Sequence, residues 1–373
     1  MSCKTFGRAT PAFFALLCLL IMPGAAAAGE GEGSEHPHAH AHHAEAAGEP
    51  QGLHFDGEDH LTGVVQLTFG GQNAEAYWAP DSKRLIYQAT PQDEGCDQIF
   101  VMNADGSGNA LVSTGLGRTT CSYFIPGTDR IIFSSTHAAS KECPPPPDFS
   151  RGYVWPIYSG YDIYTARDDG SDLVRITDSG VYDAEATLSP DGEWVLFTST
   201  RDGDLDIYRM RPDGSEVLRL TDDPGYDGGP FFSPDGSKIC YRASRPTGEA
   251  LEDYQRLLRE GLIRPGQLDI YWMNADGTDK TRVTDSGAAN FCPFFTPDGE
   301  RIIFSSNLGD PQGRNFDLYL VNLDGSGLER VTFCPSFDAF PMFSPDGKRL
   351  AFASNRNGSV MGETNVFVAN WAD

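Results

Sequence analysis

The sequence predicts an all-β fold, a six-bladed β-propeller, on three observations. A turn motif recurs six times, an alternating strand follows each copy, and a spare strand at the front matches one missing at the back. The motif occurs in WAPDSKRLIY, FIPGTDRIIF, LSPDGEWVLF, FSPDGSKICY, FTPDGERIIF and FSPDGKRLAF, with its prolines at Pro80, Pro126, Pro190, Pro234, Pro297 and Pro345. Their spacing sets a unit of 44 to 48 residues, lengthened by nearly 20 in the second and fourth units.

Taken from the start, residues 1–28 read as an export signal. Lys4 and Arg8 precede the apolar run Phe13 to Met22, and Pro23, Gly24 and the alanines up to Ala28 offer a cleavage site. The run is too short to span a bilayer, and no other apolar stretch approaches that length. The mature protein is expected to be periplasmic or secreted after cleavage near Ala28. Residues 29–62 read as a flexible linker, poor in large apolar residues and carrying His36, His38, His40, His42 and His43. Imidazoles at this density are candidate ligands for Zn²⁺, Cu²⁺ or Ni²⁺, weighed against a plain linker.

Residues 63–373 carry the repeat. In each unit a short apolar run meets the proline turn, Pro-Asp-Gly in four of the six, where proline presets φ and glycine accepts a positive one. An alternating strand follows, then an Asp-led strand such as DIYTAR, DIYRMR or DIYWMN, then an Asp-Gly hairpin into a short strand ending in Leu-Thr type residues. The sixth unit stops after its third strand, at Trp371, while Val64 to Thr68 stands unused before the first. Pairing the two closes the ring and removes an exposed edge. Both insertions, Ala138 to Gly160 and Pro246 to Gln267, fall in loops of one face. The first is proline-rich and aromatic; the second places Leu251, Tyr254, Leu257 and Leu258 at helical spacing, with Gly261 as a C-terminal cap.

The SPDG turn, DIY strand, DG hairpin and LT ending resemble the TolB-like six-bladed propeller repeat of bacterial exported proteins. The resemblance covers about residues 63–373 and implies the fold and an exported location. It is not extended to the Tol–Pal role of TolB itself, whose additional N-terminal α/β domain has no room in this sequence.

Candidate site residues come from aligning the units on their prolines. Seven residues upstream stand Asn73, Thr119, Asp183, Asp227, Asn290 and Asp338, and two residues later Glu75, Cys121, Glu185, Gly229, Cys292 and Phe340. Local turn chemistry accounts for the first ring. The sharper expectation is a polar, acidic channel mouth on the insertion-bearing face, with Asn73, Glu75, Thr119, Asp183, Glu185, Asp227, Asn290 and Asp338 as ligand or partner contacts. A divalent cation is the candidate cofactor there or at the histidines. Asp202, Asp204 and Asp206 have the spacing of a Ca²⁺ loop but lack its glycine and distal glutamate. Arg201, Arg245 and Arg356 follow the second strands and are expected to pair with these acids.

Six cysteines remain after signal removal, and an oxidising compartment favours disulfides. One pair is expected among Cys96, Cys121 and Cys143, a second between Cys292 and Cys334, and Cys240 is expected as a buried thiol. With 53 acidic against 28 basic residues, a formal charge of −25, nucleic acid is excluded as a partner. No Gly-x-Ser-x-Gly elbow is present, and His137 is alone in the propeller. The sequence therefore favours a non-catalytic, monomeric binding propeller for an envelope or extracellular protein or a small cationic ligand. The alternative is a hydrolase or lyase acting on envelope glycans or peptides through the same face.

Overall fold

The computed structural model describes residues 53–91, 95–310 and 312–372. The expected signal peptide and His36 to His43 lie outside the described residues. Six four-stranded antiparallel sheets follow one another around a central channel. Their innermost strands are Gln72–Trp78, Thr119–Phe124, Asp183–Leu188, Asp227–Phe232, Asn290–Phe295 and Asp338–Phe343. The second strands, such as Ile131 to Phe133 and Leu196 to Phe197, are fully buried where neighbouring blades pack. No described helix is long and apolar enough to cross a membrane.

The repeated residue types have local physical causes. In the Pro-Asp-Gly turn, Asp191 Oδ1 accepts from the backbone N–H of Glu193 at 3.0 Å, and Gly192, at φ +73°, donates to Ser189 O at 2.8 Å. The Leu-Thr ending exists for its hydroxyl. Thr68, Ser113, Thr177, Thr221, Thr284 and Thr332 each accept the backbone N–H at the start of a third strand, at 2.8–3.0 Å. A buried N–H left unmade would cost about 1–3 kcal/mol.

Leu61–Gln66 pairs antiparallel with Asn365–Trp371, Leu61 opposite Trp371, so blade six joins the first described strand to the last. Part of the expected linker, residues 29–62, packs on the propeller: Leu53 and Glu58 are buried. The Arg356 guanidinium lies between the Glu58 carboxylate at 3.0 Å and the Asp338 carboxylate at 3.0 Å, and all three side chains are closed to solvent. Glu58 thus holds residues 53–60 against the propeller.

The insertions meet. Trp155–Pro156 of the first pairs with Leu262–Ile263 of the second in a two-stranded ribbon. The helix Glu249–Arg259 precedes the second of these strands; Tyr254 and Leu257 are its buried residues, and Gly261, at φ +72°, follows its end. A disulfide joins Cys96 to Cys143, tethering the first insertion to blade one. The expected Cys292–Cys334 bond is not formed. Cys292 sits in an innermost strand facing the channel, whereas the Cys334 thiol, in a connecting loop, lies 3.0 Å from Ser336 Oγ. Cys240 is a fully buried thiol.

Candidate functional site

Each innermost strand carries the same irregularity. Its register with the second strand shifts once, between Ala74 and Tyr77, Thr120 and Tyr123, Ala184 and Thr187, Gly228 and Phe231, Phe291 and Phe294, and Ala339 and Met342. The residue inside each shift is left-handed: Glu75, Cys121, Glu185, Gly229, Cys292 and Phe340 all have φ between +51° and +59°. A bulge of this kind bends the strand and re-aims one side chain. Glutamate, cysteine and phenylalanine adopt it at a cost of about 1–2 kcal/mol each. All six line one enclosed pocket at the channel axis.

The pocket has a floor, a wall and a roof. Tyr77 and Phe231, ring centroids 5.6 Å apart, form the floor. Tyr182 and Tyr226 stand in the wall, and Trp155, Pro156 and Ile157 of the insertion ribbon form the roof. The open volume is about 50 Å³, room for a few waters or one small charged head.

Arg242 projects into this space from the second strand of blade four, its guanidinium carbon 5.5 Å from the Trp155 ring and 5.4 Å from that of Tyr226. It ion-pairs with Glu185, which also accepts from Thr198 Oγ1 at 2.7 Å and from the Gly229 N–H at 2.9 Å. Gly229 makes the arrangement possible: a Cβ there would lie 2.1 Å from Arg242 Nη1. Glu75 is placed differently. Its carboxyl is buried and takes a hydrogen bond from the Cys121 thiol; burial pushes its pKa up to about 7, with the charge of Glu185 adding to the rise. Burial likewise pushes the Cys292 thiol up.

The ring two residues earlier does not reach the channel. Asn73, Thr119, Asp183, Asp227, Asn290 and Asp338 are all buried, and they bond within their own blade or, for Asn73 and Asn290, to the blade before it. Asp183 Oδ1 takes Arg201 at 2.9 Å, Asp227 takes Arg245 at 2.7 Å and Asp338 takes Arg356, the pairing expected for these arginines. Thr119 Oγ1 lies 2.9 Å from Ser135 Oγ, Asn290 donates to Leu268 O at 2.9 Å, and Asn73 donates to Gly70 O at 2.8 Å. These six belong to the scaffold, which corrects their expected place at the mouth.

The acids of blade three do not converge either. Asp202 accepts from Tyr208, Asp204 from Tyr254 and the Gly225 N–H, and Asp206 from Arg219 and Thr221. Among the described residues no group of three or more His, Cys, Asp or Glu is arranged to hold a metal ion. His137 lies against the Tyr164 ring, tilted by 41°, and bonds Ser135 Oγ, away from the channel pocket.

A family model described as the TolB beta propeller domain matches residues 157–254. A TolB homologue of Chlorobium luteolum is 29% identical over 159 residues, 41% of this chain and 31% of that protein. This chain is a TolB-like six-bladed propeller. The matched segment spans under a third of the curated relative, so that protein's partners and role do not transfer with it. Among solved structures, a protein assigned as TolB from Agrobacterium tumefaciens has a TM-score of 0.53 at 21% identity, covering 81% of this chain and 91% of that one. TolB from Acinetobacter baumannii has a TM-score of 0.53 at 19% identity, covering 72% and 56%. A gluconolactonase from Xanthomonas campestris reaches 0.55 at 13% identity, covering 87% and 95%. Structures of TolB and of a gluconolactonase are about equally similar in shape, so these likenesses establish the fold of the propeller and no activity.

Proposed function

We propose that this TolB-like propeller is an exported, non-catalytic binding module that admits a cationic group, from an envelope or extracellular protein or a small ligand, into the roofed half of its channel. The observation that supports this reading is Glu75. It is a buried carboxyl at a roofed, largely apolar pocket whose one guanidinium, Arg242, is already committed to Glu185. A strongly perturbed carboxyl in a pocket is a functional-site candidate.

The same geometry narrows the ligand. With Glu185 neutralised by Arg242, one carboxylate remains, which suits a monovalent ammonium head. A divalent cation such as Ca²⁺ would need some six to eight oxygens. The ring of tyrosines and Trp155 adds faces on which an ammonium is favourably placed. A cation also needs Glu75 ionised, so binding should strengthen as pH rises through about 7.

Calorimetric titration with n-butylammonium and with Ca²⁺, at pH 6 and pH 8, tests the reading. The expected result is ammonium binding at pH 8 that fades at pH 6, with Ca²⁺ weaker than ammonium. Tight Ca²⁺ binding, or ammonium binding indifferent to pH, would reject it. The reading as a hydrolase or lyase rests on the adjacency of the Glu75 carboxyl and the Cys121 thiol. It requires turnover that Cys121→Ser abolishes.

A further inference from the structure

The channel has a second end. On the face opposite the insertions, all six turn prolines, Pro80, Pro126, Pro190, Pro234, Pro297 and Pro345, ring a mouth of about 350 Å³. Its wall is apolar, including Trp78, Phe232, Phe294 and Met342. It does not continue into the roofed pocket. Tyr77, Tyr123, Phe231 and Phe294 pack ring to ring at 5.4–5.7 Å across the channel and form a plug, with Phe231 lining both compartments.

Two sets of aspartates surround this mouth. Asp81, Asp191, Asp235, Asp298 and Asp346 directly follow five of the prolines and are exposed. Farther out, on the same face, stand the hairpin aspartates Asp105, Asp169, Asp213, Asp276 and Asp324. Serine, threonine and backbone donors hold most of these carboxyls below the usual range, Asp235 at about 2. Cations stand near several of them, Arg211 by Asp191 and Asp213, Lys238 by Asp235, Arg301 by Asp298, and Lys348 and Arg349 by Asp346, whereas no cation contributes to holding Asp105 and Asp324 ionised. Lys83 and Lys348 are exposed at the rim, while Arg167 pairs with Asp129 and Arg211 with Glu193 and Glu216. The result is an apolar socket ringed by exposed, ionised carboxylates.

We propose that this second mouth docks a segment of a partner protein in which one aromatic or large aliphatic side chain is flanked by lysine or arginine. The side chain enters the proline-ringed socket and its flanks meet the aspartates. This follows the usual anatomy of a small interface: a desolvated apolar anchor at the centre and charged contacts at the rim that set orientation and association rate. An anionic lipid surface or a nucleic acid would be repelled by the same aspartates.

The test uses three synthetic peptides on the intact mature protein: Lys-Lys-Gly-Trp-Gly-Lys-Lys, the same peptide with alanine at its centre, and the same peptide with glutamate flanks. Binding is read by fluorescence anisotropy at low and high salt. The tryptophan peptide with lysine flanks should bind. The alanine peptide should be about tenfold weaker, the glutamate peptide should not bind, and salt should weaken the interaction. The triple variant Asp191→Asn, Asp235→Asn, Asp298→Asn keeps a side-chain oxygen for each turn and should lose about tenfold in affinity through charge alone. A benzophenone placed at the peptide's centre should crosslink to the Phe294 and Met342 side of the ring. Glu75→Gln should leave this binding intact, which separates it from the roofed pocket. Equal affinity of the tryptophan and alanine peptides, or crosslinks to Trp155 and the insertion ribbon, would overturn the proposal. Should the triple variant fail to fold, the peptide comparison and the crosslink still decide it.

Discussion

Two rings of six residues stand only two positions apart on the same strands, yet they do opposite work. The first, Asn73, Thr119, Asp183, Asp227, Asn290 and Asp338, turns away from the channel and ties strands together, within a blade or across to the one before it, by buried hydrogen bonds and ion pairs. The second, Glu75, Cys121, Glu185, Gly229, Cys292 and Phe340, is thrown into the channel by a left-handed bulge. In a regular strand two residues apart means the same face. Here the bulge breaks that rule six times. A repeat-wide polar position is thus better evidence for scaffold, and a position that varies across the repeat is better evidence for a site.

The comparison can be broken from the scaffold side with the largest effect. Arg356→Met would leave the Glu58 and Asp338 carboxylates facing each other without a cation in a fully closed space. The expected loss is about 3–5 kcal/mol, read as a drop in the denaturant midpoint; a loss under about 1 kcal/mol would mean that the triad is not what joins blade six to the preceding segment.

Breaking the channel ring should do the reverse. Glu75 has its carboxyl raised from 4.5 to about 7 by burial, so the folded state binds that proton more tightly than the unfolded chain does. Stability is therefore greatest below about pH 4.5 for this group and falls as pH rises through about 7. Glu75→Gln removes the ionisation and should raise stability at pH 8 by roughly 3 kcal/mol. At pH 4 it should change it little. Equal effects at the two pH values would show that Glu75 is not buried as described.

A smaller effect separates the two parts of the segment before the first strand. Removing residues 29–52 should be neutral, whereas removing residues 29–60 takes away Glu58 and should cost about 2 kcal/mol, the worth of charged hydrogen bonds. Equal melting temperatures for the two truncations would contradict the role given to Glu58. Gly229→Ala should cost about 1–3 kcal/mol, because the new Cβ meets the Arg242 guanidinium and the left-handed backbone disfavours it. A crystal structure of that variant should show Arg242 displaced from Glu185.

The architecture was legible because its signals are local and repeated. Proline and glycine fix the turns, and each Leu-Thr hydroxyl serves one backbone N–H in every blade. The site was only half legible. Nothing in glutamate, cysteine or phenylalanine announces a positive φ, so alignment found the second ring without revealing that it alone faces the channel. Arg242 was missed, although the sequence held a clue. At the corresponding position the other second strands carry Gln88, Ser134, Thr198, Ser305 and Ala353, and blade four joins its arginine to the one glycine among the bulge residues. Glu58 was hidden because a lone carboxylate in a polar segment carries no mark of its partner 298 residues away. Cys292 and Cys334 fall near each other by blade number, but a bulge sends one toward the axis while the other stays in its loop.

The most direct measurement is n-butylammonium affinity at pH 8 for the wild-type protein, Glu75→Gln and Asp183→Asn, each checked for folding by circular dichroism. The account predicts that Glu75→Gln folds as well as or better than wild type and loses the ammonium, while Asp183→Asn is less stable yet binds with unchanged affinity. Retained binding in Glu75→Gln together with lost binding in a folded Asp183→Asn would contradict it, and would return the site to the buried ring.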